Sequence, residues 1–350
     1  MKKEIRIGER TIGPGHPIYI IAEMSANHGQ SEEKAVEIIR AMKEAGADAV
    51  KLQTYTPDTM TIRCDRPEFC IGKGTLWEGK TLHALYGEAY TPWEWQPRLK
   101  HLAGELGMDC FSTPFDATAA DFLEKMDVPA YKIASFELVD LPLIEHAARK
   151  RKPMILSTGM ATAEEIRDAV DTIRAAGNDH ICLLKCTSAY PSPPEEMNLR
   201  TIPDMAERFS VPVGLSDHSL SVTIPVAAAA LGACVIEKHF CLSRSKPGPD
   251  AAFSLEPEEF KQMVDAVRTA ERALGTVTYE RTKHEIASIV FRRSLFAIQD
   301  IAEGEVLTDR NVRSIRPGHG LPPKEWDRVR GKRARTRIGR GTPLQWELLE

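Results

Sequence analysis

The sequence predicts an α/β protein: a closed (β/α)8 TIM barrel followed by a small C-terminal β-rich domain. Three observations carry that reading. Eight short β-rich runs alternate with longer amphipathic runs, about 20 to 30 residues apart. Each run ends in polar or ionisable residues, which a barrel gathers on one face and an open doubly wound sheet would spread along an edge. Beyond about residue 276 the chain changes to short runs broken by turns.

The first strand is read at Ile18–Ala22 and its helix at Ser31–Ala45, where Ala35, Ile38, Ile39, Met42 and Ala45 have helical spacing and Gly46 ends the run. Ala49–Leu52 is the second strand. Thr91-Pro92-Trp93-Glu94 has the form of a capping box with proline at the first helical position, and Pro97 predicts a kink or a late start. Cys110-Phe111 and Tyr131–Ala134 read as strands flanking a helix at Ala117–Met126. Thr162-Ala163-Glu164-Glu165 is a second capping box, opening a helix with Ile166, Ala169, Val170 and Ile173 on one face. The remaining strands fall at Met154–Leu156, Ile181–Leu184, Val211–Leu215 and Cys234–Ile236, before a helix at Pro257–Leu274. The domains are therefore expected at 1–276 (barrel), 277–290 (polar linker) and 291–350 (small domain). Arg328–Arg340 carries seven Lys/Arg and no acid, read as a solvated edge strand, with a phosphate or nucleic-acid patch as the alternative.

With 350 residues the chain can build a sizeable core, and a net charge of only -4 points to neither nucleic acid nor membrane as a partner. The N-terminus has no apolar core of signal-peptide length, and seven unpatterned cysteines suit reduced thiols in a cytoplasm.

His218 and His239 end two successive strands. Two imidazoles on neighbouring barrel strands can reach one divalent ion and leave positions open for water and substrate. A hydrogen-bonded structural histidine is the alternative for either one. With nitrogen ligands and oxygen co-ligands, Mn²⁺ is the chemically sensible ion, and Mg²⁺ or Co²⁺ would also serve. Lys51, Lys132, Lys185 and Lys238 also lie near strand ends, but strand neighbours alternate faces. Lys51 and Lys132 are the candidates for neutralising a carboxylate and a phosphate; one of the others is expected to pair with a carboxylate such as Glu237. Ser135, Ser157, Ser188 and Ser216 add hydroxyl donors, which together with lysines describe an anion site. Glu23 and Glu137 are acid–base candidates, with Asp217 placed to support His218 from behind. Tyr190 sits in a stiff Ser-Ala-Tyr-Pro-Ser-Pro loop, over the barrel mouth or packed on its rim. The insertion Cys64–Trp95 holds Trp77, Trp93 and Trp95 and reads as an apolar lid suited to a sugar bearing methyl and acetyl groups.

The motifs Ile-Ala-Glu-Met-Ser-Ala-Asn-His (21–28), Val-Lys-Leu-Gln-Thr (50–54), Phe-Ser-Thr-Pro-Phe-Asp (111–116), Tyr-Lys-Ile-Ala-Ser-Phe-Glu (131–137), Leu-Ser-Thr-Gly-Met-Ala (156–161), Lys-Cys-Thr-Ser-Ala-Tyr-Pro (185–191), Gly-Leu-Ser-Asp-His (214–218) and Glu-Lys-His-Phe (237–240) occur in order. Together they resemble the sialic acid synthase family over almost the whole chain. Arg-Ser-Leu (293–295), Asp-Ile-Ala-Glu-Gly-Glu (300–305) and Ile-Arg-Pro-Gly (315–318) resemble that family's antifreeze-like (SAF) domain. The resemblance implies a phosphoenolpyruvate-dependent barrel enzyme, a domain-swapped homodimer, and a metal held by His218 and His239. It implies phosphoenolpyruvate binding by Lys51, Thr113, Lys132, Ser135, Ser157, Ser188 and Ser216. Glu23, Gln53, Glu137, Tyr190 and Asp250 would act around the sugar or the intermediate, and Arg316 would reach the other subunit's site to touch the sugar's amide. Ser188 departs from the asparagine usual in the neuraminate branch.

Within the family, 53–61, Gly-Thr-Leu-Trp (74–77) and 88–95 resemble the branch that condenses phosphoenolpyruvate with 2,4-diacetamido-2,4,6-trideoxy-L-altrose to give pseudaminic acid and phosphate. Synthesis of N-acetylneuraminate or legionaminate is the alternative within the family. Outside it stand a Schiff-base aldolase using Lys132 or another strand-end lysine, and an inactive barrel whose C-terminal domain binds glycans or protein.

Overall fold

The computed structural model describes residues 4–72, 74, 77–246 and 248–350; Thr75 and Leu76 of the 74–77 motif lie outside the described residues. Two compact units are present, Met1–Gly275 and Thr276–Glu350.

The first unit opens with an antiparallel hairpin, β1 (Ile5–Ile7) and β2 (Arg10–Ile12). Eight strands then close a parallel barrel: β3 (Tyr19–Glu23), β4 (Ala49–Thr54), β5 (Asp109–Pro114), β6 (Tyr131–Ile133), β7 (Met154–Ser157), β8 (Ile181–Cys186), β9 (Val213–Asp217) and β10 (Val235–His239). β10 pairs with β3 to complete the ring. These strands are buried on both faces, which is why they read as short apolar runs rather than alternating ones. Most extend one or two residues further than their apolar cores, because the polar residues at their ends remain in the ladder.

Amphipathic helices cover the barrel. Glu32–Glu44 is capped by Ser31, whose Oγ accepts from the Lys34 amide, and buries Ala35, Ile38, Ile39 and Met42. The capping box at Thr162 forms with Glu165 and opens the helix Ala163–Ala175. The long helix runs Pro257–Leu274, as the spacing predicts. The box expected at Thr91 does not form. Thr91 is buried and its hydroxyl meets His28 Nε2 at 3.0 Å, so a 3-10 turn at Trp93–Trp95 intervenes and the helix starts late, at Gln96, with Pro97 in its first turn.

The hairpin is a feature the strand–helix pattern does not reveal. Ile5, Ile7 and Ile12 join the main core, and Arg10 reaches Asp109 at 3.1 Å and Asp48 at 3.7 Å. Tyr19 donates to the same Asp109 at 2.8 Å. These are residues at the starts of β3 to β5, so the hairpin seals the end of the barrel opposite the polar strand ends.

The second unit has a core of its own that includes Leu295, Ile301, Leu307, Val312, Ile338 and Leu344. Its paired strands are β11 (Ser294–Ala297) and β12 (Val312–Ile315). Within the segment read as a polar linker, Lys283–Ser288 is helical, capped by Thr282. The basic run at 328–340 is not an edge strand. It makes isolated bridges at Arg333, Ala334 and Ile338, and its cations pair locally, Arg328 with Glu325, Arg330 with Asp309 and Arg337 with Asp300.

Candidate active site

Alternation along the strands decides which polar groups face the barrel mouth. On β4, Lys51 and Gln53 share one face; on β10, Glu237 and His239 do; Ser216 and His218 follow the same period at the end of β9. Strand register then sets neighbours: Glu23 lies opposite both Lys51 and His239, and Glu237 opposite Ser216. Lys238 and Asp217 are also register partners, on the other face, where they pair at 2.5 Å.

The inward groups form a charge network. Lys51 Nζ lies 2.8 Å from Glu23 Oε2 and 3.3 Å from Glu237 Oε1, and donates to Thr113 Oγ1 at 3.4 Å. Lys132 Nζ donates to Ser157 Oγ at 2.6 Å and lies 3.8 Å from Glu237. Ser216 Oγ donates to Glu237 at 3.2 Å. Burial works against every charge here, and partners decide the outcome. Burial pulls Lys51 down, but Glu23 and Glu237 outweigh it and push it up to about 12. Lys132 has weaker support, and burial brings it down to about 8. Burial raises Glu23 to about 7 against the opposing pull of Lys51, and raises Glu137 to about 7. For Glu237 burial is outweighed by Lys132 and Lys51, so it stays below the usual carboxylate range. Two lysines, one firm carboxylate and two carboxyl groups poised near neutrality are what an anion site with proton-transfer capacity requires.

Beside Lys132 the corner formed by Ser135 and Ser188 is kept open by Gly159. A Cβ there would lie 2.2 Å from Ser188 Oγ and 2.8 Å from Ser135 Oγ, while the Gly159 amide donates to Ser135 Oγ at 3.1 Å. The cavity above measures ≈ 440 Å³ and is lined on its outer side mainly by apolar residues, among them Ile71, Leu82, Leu85 and Phe115.

The segment Cys64–Trp95 contributes a helix, Leu82–Ala89, and Trp77 to this wall. Trp77 Nε1 donates to Pro249 O at 2.9 Å, and its ring lies 6.0 Å from that of Tyr190. The other two tryptophans are scaffold: Trp93 donates to Tyr55 O and packs on Phe122, and Trp95 meets His28 edge-on. Tyr190 belongs to the cavity, with its ring 4.5 Å from His218.

A sequence model of the NeuB family matches residues 38–279, and a model of the SAF domain matches 292–350. The chain belongs to the NeuB family. Among its relatives, pseudaminic acid synthase of Campylobacter jejuni is 47% identical over 328 residues, 94% of this chain and 95% of that protein. Pseudaminic acid synthase of Helicobacter pylori is 46% identical, covering 95% and 98%. Among solved structures, N-acetylneuraminic acid synthetase of Leptospira borgpetersenii in complex with citrate superposes with a TM-score of 0.73 at 31% identity, covering 83% of this chain and 96% of that one.

In this NeuB-family chain the two strand-end histidines have ring centroids 5.3 Å apart. His218 Nδ1 lies 3.0 Å from Thr187 O, a contact that places the proton on Nδ1 and leaves Nε2 as a lone-pair donor. His239 Nδ1 is buried without a hydrogen-bond partner, and burial with the nearby His218 holds this imidazole neutral. A neutral His239 with an orphaned nitrogen fits a divalent cation; at His218 burial is outweighed by Cys186 and the Thr187 carbonyl, which raise its pKa, so a cation there would take the place of a proton. No group of three or more His, Cys, Asp or Glu side chains arranged to hold a metal occurs among the described residues.

Of the residues singled out from the NeuB-family chain's sequence, Lys51, Gln53, Lys132, Ser135, Glu137, Ser157, Tyr190, Ser216, His218, His239 and Asp250 line the cavity. Glu23 and Thr113 stand behind it, each bonded to Lys51, and Ser188 sits behind Gly159. Arg316 lies in the second unit, directly after β12. Asp217 does not back His218; its carboxylate is taken by Lys238 and the Ser219 amide. Lys185 is turned to Cys186 O and Thr187. Glu237 is the residue undervalued by sequence reasoning. Its spacing of two from His239 was the signal that it faces inward. Ser25, Cys186 and Phe253 also line the cavity; Ser25 and Cys186 stand inside the motifs 21–28 and 185–191 with no role assigned to them, and Phe253 lies in none.

Proposed function

We propose that the protein is a pseudaminic acid synthase, condensing phosphoenolpyruvate with 2,4-diacetamido-2,4,6-trideoxy-L-altrose and water to give pseudaminic acid and phosphate. The observation that carries this reading is the Lys51–Lys132–serine anion site and the His218–His239 pair at one barrel mouth, under a largely apolar wall. Relatives named pseudaminic acid synthase at 46% and 47% identity support the choice of sugar.

In this scheme Lys132, Ser135, Ser157 and Ser216 hold the phosphate and carboxylate of phosphoenolpyruvate, with Lys51 supplying the second positive charge and Ser188 and Thr113 completing the shell. His218 and His239 would hold a divalent ion, Mn²⁺ by preference, which supplies Lewis-acid polarisation of the open-chain sugar aldehyde. C3 of phosphoenolpyruvate bonds to that aldehyde carbon, whose oxygen takes up a proton to become a hydroxyl. Water adds at C2 and gives up a proton, and the C2–O bond to phosphate breaks to leave the 2-keto acid. Glu23 and Glu137, both poised near neutrality, are the groups able to exchange these protons. Glu237 stays anionic next to both lysines, where it offsets the positive charge that develops at C2. Gln53, Tyr190 and Asp250 face the sugar, and Arg316 completes the site from the second protomer of a domain-swapped homodimer.

No helix among the described residues is long and apolar enough to cross a membrane, and the seven cysteines are free thiols, which supports a cytoplasmic site of action.

The test is phosphate release from phosphoenolpyruvate with Mn²⁺, offering in parallel the altrose sugar, N-acetylmannosamine and the 2,4-diacetamido-2,4,6-trideoxymannose that leads to legionaminate. Turnover confined to the altrose sugar and lost with chelator is expected. Preference for another sugar would overturn the assignment within the family, and no release with any would overturn the synthase reading.

A further inference from the structure

Ser25 lies just past the end of β3, buried and facing the cavity. Its backbone is left-handed, with φ +47°, a conformation that favours glycine and disfavours a residue with a Cβ. Strained backbone of this kind clusters at active sites and ligand clamps. Here the hydroxyl is used twice. It donates to Asp250 Oδ2 and accepts from Gln53 Nε2 at 3.1 Å. Gln53 Nε2 also donates to Glu23 Oε1 at 3.0 Å, and the Ala26 amide reaches the same Asp250 oxygen at 3.3 Å. Ser25 is thus the middle of a chain, Glu23–Gln53–Ser25–Asp250, that joins the ends of β3 and β4 to the loop after β10.

This edge of the cavity carries carboxyl and amide groups, whereas the Lys132–Ser157 side carries an ammonium and a hydroxyl. Carboxyl and amide oxygens here accept from hydroxyl and N-acetyl N–H donors. We infer that Ser25 is a positioning residue for the sugar: its hydroxyl holds Gln53 and Asp250 as one polar wall against which the acetamido sugar is oriented. The inference rests on the sugar-condensing reading above; the Ser25 hydroxyl links Gln53 to Asp250, while Glu23 and the Ala26 amide hold them from their other sides.

The variants Ser25→Gly and Ser25→Ala test it. Both lose the hydroxyl's two bonds; glycine also relieves the left-handed backbone, so its thermal midpoint should lie above that of alanine, which keeps the strain. In both, KM for the sugar should rise about tenfold or more, while KM for phosphoenolpyruvate stays within about twofold. A purely structural role would instead lower stability and activity together, and an unchanged sugar KM in Ser25→Gly, or an equal rise in both KM values, would overturn the inference. Crystal structures of the wild-type and Ser25→Gly proteins give a readout that does not depend on turnover: the Gln53 amide and the Asp250 carboxylate should separate by about 1 Å in the variant. If they stay in place, Ser25 positions nothing, whatever the reaction is. If they separate in the variant while the wild-type protein turns over none of the sugars, the wall stands and the synthase reading falls.

Discussion

At the scale of the residue, the site is governed by the competition between burial and pairing. Lys51 and Lys132 are both fully enclosed, yet they arrive at different states because Lys51 has two carboxylates within 3.3 Å and Lys132 only Glu237 at 3.8 Å. Lys51 stays an ammonium at any working pH, while Lys132, brought down by burial to about 8, sits close to losing its proton. The protonated form attracts phosphate and the neutral form does not. KM for phosphoenolpyruvate should therefore be flat below about pH 7 and climb above about pH 8, approaching tenfold per unit. Steady-state kinetics across roughly pH 6.5 to 9.5 check this, and a flat profile would remove Lys132 from the phosphate site.

At the scale of the element, two glycines on the barrel show how the same substitution acts through different neighbours. At Gly159, in the loop after β7, an alanine Cβ would meet the hydroxyls of Ser188 and Ser135, which can rotate, and Ser135 Cβ at 3.2 Å, a contact that needs a shift of only a few tenths of an ångström. Gly159→Ala should fold normally, hold its thermal midpoint, and raise KM for phosphoenolpyruvate about tenfold by filling the corner the phosphate needs. At Gly214, in β9, the Cβ would lie 2.4 Å from Val235 O and 2.6 Å from Val235 Cβ, on the neighbouring strand. Backbone in a closed ring cannot yield without breaking the ladder, so Gly214→Ala should cost about 3 kcal/mol or more. Thermal melts should show it as a midpoint lower by roughly 5 °C or more. Equal effects of the two substitutions would mean that the corner at Gly159 is structural rather than a binding surface.

At the scale of the whole molecule, the proposed site needs His239 from one protomer and Arg316 from the other. His239→Ala and Arg316→Ala proteins should each be nearly inactive. Mixed under conditions that exchange subunits, they should recover about a quarter of wild-type turnover, because half the dimers are hybrid and each hybrid carries one intact site. No recovery, with exchange verified by mass, would place Arg316 outside a shared site.

The barrel, its eight strands and the helix Pro257–Leu274 were legible in the linear chain, because burial on both faces of a parallel strand and on one face of a helix leaves runs and periods that neighbours in sequence display. The lysines, serines and histidines were legible for a related reason: polar residues at the ends of apolar strands have one face of the barrel to occupy. Alternation and register, which are properties of paired strands, settled what remained. They turned Glu237 toward the lysines and sent Lys238 to Asp217, leaving His218 to the Thr187 carbonyl. Packing between loops, outside any strand, spent the Thr91 hydroxyl on His28 rather than on a helix cap. Ser25 joins Gln53 to a carboxylate 225 residues away. A contact of that span leaves no trace in local spacing, since the atoms it joins become neighbours only when the barrel closes.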